Sequence, residues 1–114
     1  MTDQTALEDR VKVLKAVASA PRLMMLEALA AGDLSVGELT AVAGSDISTV
    51  SRHLSVLRNA GIVSSARSGS QVMYHLRTPC VLQFCSCVER VLSERDRGSP
   101  KRSAHADQVE RKAP

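Results

Sequence analysis

Apolar residues recur along the chain at two different periods, and the change of period divides it into elements. Leu7, Val11, Leu14 and Val17 or Ala18 follow each other at three and four residues, one face of a helix over about Leu7 to Ala18. Ser19-Ala20-Pro21 interrupts that face, and Pro21 suits the first turn of a second helix to Ala31, because its missing N–H has no helical partner there. Leu23, Met24, Leu26, Leu29 and Ala30 give this second helix a broad apolar face, with Gly32 as its stop. Ser35 followed three residues later by Glu38 is a capping box opening a short helix over about Val36 to Ala43, ended by Gly44. Ser45 or Asp46 then caps a fourth helix to about Ala60, with Gly61 beyond it. Ile47, Val50, Leu54 and Leu57 form its predicted buried stripe, leaving Ser48, Thr49, Ser51, Arg52 and Ser55 outside. Next, Ile62–Arg67 and Gln71–Leu76 are short β-prone runs around Ser68-Gly69-Ser70, a hairpin. Thr78-Pro79 restarts a helix whose apolar positions, Val81, Phe84 or Cys85, Val88 and Val91 or Leu92, carry it to about Arg95. The polar, weakly periodic remainder predicts a folded domain over residues 1–95 and a disordered tail over 96–114. The tail includes His105 and two basic pairs, Lys101-Arg102 and Arg111-Lys112.

Two helices across a tight turn followed by a hairpin form the order of a winged helix-turn-helix: mainly α, with a β-hairpin wing. The major groove of duplex DNA admits one α-helix, and sequence is read there by hydrogen bonds to base edges. Small hydroxyl side chains on the fourth helix let its backbone come close, and Arg52 can donate to guanine or to phosphate. Arg67, Ser68, Ser70 and Gln71 on the hairpin suit contact with phosphate or the minor groove.

Composition sharpens this picture. The 114 residues fit one domain. Tyr74 and Phe84 are the only aromatics, so the core must be aliphatic. The same scarcity argues against modules that stack several unpaired bases on rings. Fifteen Lys and Arg against twelve Asp and Glu give a net charge of +3, which permits nucleic-acid binding without demanding it. No apolar run approaches the roughly 18–20 residues of a membrane span, and the acidic start MTDQTALEDR is unlike a signal peptide. The expectation is a soluble cytoplasmic protein with no membrane partner.

The stretch APRLMMLEALAAGDLSVGELTAVAGSDISTVSRHLSVLRNAGIVSSARSGSQVMYHL resembles the ArsR/SmtB family of bacterial metalloregulatory repressors. The telling pieces are A-x-R-x-x-x-L-x-x-L, S-T-V-S-R-H-L-S-V-L-R-N-A-G-I-V and G-S-Q-V-M-Y-H-L, and the likeness covers about Leu7 to Val91. The resemblance implies a homodimer, formed through the terminal helices, that holds operator DNA until an inducer occupies a sensor site. By the same resemblance, Ser48, Thr49, Ser51, Arg52 and His53, with Arg67 and Gln71 on the wing, are the DNA contacts. His53 flanks the buried stripe, so a structural histidine and a phosphate contact are both open readings; His75 reads as packing or surface.

Cys80, Cys85 and Cys87 lie within eight residues, an odd number that cannot make a closed disulfide framework. Sensors of the resembled family often place Cys pairs on the third helix or Asp/His sets on the last. This third helix has no Cys and this last helix no His. Thiolates favour soft ions, and three of them suit As(III) or Sb(III), with Cd, Pb or Zn as further candidates. Cys80 and Cys87 share a helix face but stand about 10 Å apart, while Cys85 and Cys87 point about 160° apart. A shared site therefore needs either an unwound first turn at Cys80 or a thiol from a second subunit. Cys85, on the apolar side, equally suits a small buried hydrophobe. No cofactor is obligatory in this reading, and the chain is not expected to be an enzyme: it has no C-x-x-C and no acid/base set beside the thiols. A sensor of oxidants or reactive sulfur on the same fold is the alternative, and a thiol enzyme the remote one.

Overall fold

The structure, a computed structural model, describes residues 4–98. It falls into two compact units, one ending at Pro79 and one beginning at Cys80. The first contains α1 (Gln4–Val17), α2 (Ala20–Ala30), β1 (Leu34–Ser35), α3 (Val36–Ala43), α4 (Ile47–Asn59), β2 (Val63–Ser68) and β3 (Gln71–Leu76). In the second, α5 runs over Cys80–Gly98. Mainly helical, with a hairpin in the predicted place, the first unit has the architecture of a winged helix-turn-helix.

Its core is aliphatic, as the composition requires. Met25 and Leu26 of α2, Leu39 of α3, and Val50, Leu54 and Leu57 of α4 are fully buried, and Ile62, Val63, Leu76 and Tyr74 close the side toward the sheet. Helices α2, α3 and α4 pack on one another, and α2, α3 and α4 also reach the sheet. Burial of this kind is worth about 1.5–3 kcal/mol for each large aliphatic side chain. It holds α4 from one side only.

Local chemistry sets the boundaries. Ser19 caps α2, its side chain accepting from the Arg22 N–H, with Pro21 in the first turn. At α3 the capping box closes both ways: Ser35 Oγ accepts from Glu38 N–H at 3.2 Å, and Glu38 Oε1 accepts from Ser35 N–H at 2.8 Å. Helix α4 ends in a Schellman arrangement, with Gly61 N–H donating to Arg58 O and Ile62 N–H to Leu57 O, both at 3.0 Å. Gly61 has φ +85°, a left-handed conformation that penalises any side chain. The chain leaves α4 and enters β2 at once.

The sheet order is β1-β3-β2, all antiparallel. Strand β1 escaped the sequence reading. Its two residues pair Leu34 with Tyr74 and Ser35 with Met73, so the residue that caps α3 is also pinned to the wing.

Three expectations need correction. Ile47 is not part of the buried stripe: it is 58% exposed, because it is the first residue of α4 and lies beyond the packed layer. Leu7, Val11 and Leu14 form the expected face of α1 and are exposed, while Ala16 and Val17 of that helix are buried. Helix α5 opens at Cys80, not Pro79. It continues through Asp96 to Gly98, so the expected boundary at residue 96 falls inside a helix. The remainder of the expected tail, with His105 and the basic pairs, lies outside the described residues.

Candidate nucleic-acid interface and thiol helix

Three residues, Gly44 to Asp46, join α3 to α4. Gly44 ends α3, and Asp46 caps α4 by accepting from Thr49 N–H through Oδ1 at 3.1 Å. With Val50, Leu54 and Leu57 turned inward, Ser48, Ser51, Arg52 and Ser55 fall at i, i+3, i+4 and i+7 on the opposite side, all exposed. Thr49 is half-buried at the flank of that face. The Ser51 and Ser55 hydroxyls and the Arg52 guanidinium can donate to phosphate or to base edges.

His53 is half-buried and engaged. Arg22 Nη1 lies 2.9 Å from His53 Nδ1. Guanidinium groups only donate, so Nδ1 accepts, and the imidazole is neutral with its proton on Nε2. Burial first, then the charges of Arg22 and Arg52, push the His53 pKa below its ordinary value. Arg22 also donates through Nε to Ala16 O at 2.6 Å, capping the carbonyl end of α1. One side chain thus ties α1, α2 and α4 together. Sequence reasoning passed over it, although Arg22 is the Arg of A-x-R-x-x-x-L.

The wing register separates the two hairpin candidates. Ser65 pairs with Tyr74 and Arg67 with Val72, so Arg67 lies on the ribbon face that carries the buried Tyr74. Arg58 of α4 donates to Ser65 Oγ on that face at 3.3 Å. Arg67 is therefore on the α4 side of the wing, two residues nearer the tip. Gln71 pairs with Ser68 and lies on the other face. Both side chains are exposed. His75 is a surface residue, with Nδ1 2.8 Å from Asp33 Oδ1.

The thiols occupy the other unit. Cys80 and Cys87 are exposed, Cys85 is half-buried, and all three are free. Helix α5 is uninterrupted from Cys80 onward, so its first turn is not unwound. At about 100° per residue Cys80, Phe84, Cys87 and Val91 share one stripe, and Cys85 turns away with Val81, Val88 and Leu92. Among the described residues, no group of three or more His, Cys, Asp or Glu side chains could hold a metal ion. Nor is any described helix long and apolar enough to cross a membrane.

Residues 19–65, from the cap of α2 to the middle of β2, match the bacterial regulatory protein arsR family. The HTH-type transcriptional regulator Rv0081 of Mycobacterium tuberculosis is 33% identical over 85 residues, 74% of this chain and 75% of the relative. Its crystal structure superposes with a TM-score of 0.70 at 30% identity, covering 90% of this chain and 100% of that one. The AntR antimony-specific transcriptional repressor gives a TM-score of 0.67 at 30% identity, over 83% of this chain and 86% of that one. A homodimeric winged helix-turn-helix DNA-binding domain, Mb0332 of Mycobacterium bovis, gives 0.68 at 26% identity, over 92% and 94%. With its capped α3–α4 pair, its wing and these likenesses, the chain belongs to the ArsR family of bacterial transcription regulators.

Proposed function

We propose that the protein is a homodimeric repressor that holds operator DNA through α4 and the wing and lets go when its α5 thiols take up a thiophilic metalloid. Ser48, Thr49, Ser51 and Arg52 make the groove contacts, His53 lends its Nε2–H at the flank, and Arg67 and Gln71 meet the backbone from the wing. The observation that carries the DNA reading is the one-sided burial of α4, which leaves Ser48, Ser51, Arg52 and Ser55 exposed on one polar face.

Homodimerisation is supported by the exposed apolar residues of α1 and α5 and by the homodimeric state of Mb0332. The thiol reading follows from the stripe Cys80–Phe84–Cys87–Val91. A second copy laid along it would bury Phe84 and bring thiols from two chains within reach of one ion. As(III) and Sb(III), each bound by three thiolates, fit that donor set, with Cd, Pb or Zn as softer-site competitors. The antimony-specific AntR is a structural neighbour in keeping with this chemistry. Release works by linkage: an inducer that prefers the DNA-incompetent arrangement shifts the dimer away from the operator.

The test is a titration of the protein bound to its own upstream DNA with arsenite, antimonite, cadmium and lead, and with polysulfide as a separate arm. The expected result is release by the metalloids, abolished in Cys80→Ser/Cys87→Ser. Release by polysulfide alone, with a Cys–Cys linkage in the mass spectrum, replaces the metalloid reading with reactive-sulfur sensing. Release unaffected by loss of all three thiols overturns both.

A further inference from the structure

The carboxylate that caps α4 does more than close the helix. Asp46 Oδ2 lies 3.2 Å from Ser48 Oγ, while Oδ1 takes the Thr49 N–H. An ionised carboxylate only accepts, so the Ser48 hydroxyl donates its hydrogen bond to Asp46 and keeps its lone pairs free to accept another. Both residues are exposed, and Ser48 sits on the face shared with Ser51, Arg52 and Ser55. Hydrogen bonds from the Thr49 side chain first and its N–H second hold the Asp46 carboxyl below its ordinary pKa, and the group stays charged. The leading end of the reading helix is thus a patch of acceptors.

That is the reverse of what a helix N-terminus ordinarily offers. Its free N–H groups and positive dipole end suit phosphate. Here a negative side chain occupies the place, and a phosphate brought to it is repelled. What fits is a hydrogen-bond donor. In the major groove the donors are the amino groups of cytosine and adenine. Adenine carries the N7 acceptor beside its amino group, which would face the second carboxylate oxygen. Cytosine presents its N4 amino group with no acceptor of its own on that edge, and carboxylates pair with it accordingly.

We infer that Asp46 and Ser48 form an acceptor pair that reads a cytosine N4 amino group in the operator's major groove and keeps phosphate away from that end of α4. The inference rests on the DNA reading of α4 proposed above. It assigns Asp46 a role in specificity that counting positive charges would miss.

Selection from a pool of random duplex DNA by the full chain, by Asp46→Asn and by Ser48→Ala tests it. Asn caps a helix about as well as Asp, so Asp46→Asn keeps the fold, which a thermal melt verifies. The wild type is expected to prefer cytosine at one position on the order of tenfold, the range of a good base contact. Asp46→Asn should cut that to about two- or threefold, leave the other positions unchanged, and bind unselected DNA more tightly because a repulsive charge has gone. Replacing that cytosine by 2-pyrimidinone, which lacks the amino group, should weaken the wild type by a similar factor and Asp46→Asn hardly at all. An unchanged selection by Asp46→Asn, or a wild type indifferent to the missing amino group, overturns the inference and leaves Asp46 a cap. A selected motif without any cytosine preference does the same while the DNA reading stands. A wild type that enriches no motif overturns the DNA reading, and this inference with it.

Discussion

Helices α4 and α5 are both amphipathic, and their apolar stripes meet opposite fates. On α4, Val50, Leu54 and Leu57 are sealed by the helices and sheet of their own unit. On α5, Phe84 is 48% exposed and Val91 65%, with Val88 and Leu92 open as well. The contrast separates two kinds of chemistry. A helix fixed by its own chain presents a polar face whose composition can be interpreted directly. A helix whose apolar side is open presents groups, here Cys80 and Cys87, whose surroundings on the proposed dimer would be completed by a second copy. Reading chemistry is built into one copy; sensing chemistry, on the proposal above, is shared between two.

The largest test of this contrast removes packing from each helix. Leu54→Ala should cost about 2–5 kcal/mol in urea unfolding, at any protein concentration, because the cavity lies inside one chain. Phe84→Ala should have an effect that grows with protein concentration if the proposed dimer covers it. A Leu54→Ala cost that varied with concentration, or a Phe84→Ala cost that did not, would break the comparison. Next in size, Cys80→Ser/Cys87→Ser should lower the response to metalloid by more than about tenfold, equivalent to about 1.4 kcal/mol, with little change in melting temperature; Cys85→Ser separates a third ligand from a packed thiol.

Smaller effects probe how α4 is held. Arg22→Met takes the donor away from His53 Nδ1 and from the Ala16 carbonyl, and should cost about 1–2 kcal/mol in denaturant unfolding. Gly61→Ala, forced into a left-handed conformation, should cost about 1 kcal/mol by the same measurement. The smallest is a pH effect. The His53 pKa is depressed in the folded state relative to the ordinary 6.5. Its contribution to stability is therefore complete above pH 6.5 and is lost as pH falls through the depressed folded value, because the unfolded chain takes up the proton first. His53→Gln should flatten that part of the profile of melting temperature between pH 7.5 and pH 5, and an identical profile in both proteins would refute the assignment.

How legible each region was in the sequence follows from the same contrast. Helix α3 is found from Val36 to Ala43 as expected, because a capping box and a left-handed Gly44 define both ends by local chemistry. The hairpin is found where alternating β-prone runs flank Gly69. Strand β1 was illegible because two residues have no period. Ile47 misled because a helix period says which side a residue faces but not whether the neighbouring layer reaches that far. The contacts of Arg22 and Arg58, and the one behind the role proposed for Asp46, span 31, 7 and 2 residues. Only the last spacing is local enough to be seen in the string, and there the residue was noticed as a cap alone. The thiols were legible as a group but not as a site, because a single helix cannot gather them.

The order β1-β3-β2 leaves β2 at the rim of the sheet, where a strand offers its backbone to any other strand that drifts past. This rim is six residues long, carries Arg67, and has Arg58 bonded across to Ser65. A short border that carries arginine disfavours edge-to-edge pairing between the wings of neighbouring molecules. The positive charge proposed to meet the double helix would therefore also hold one wing off another when no DNA is bound.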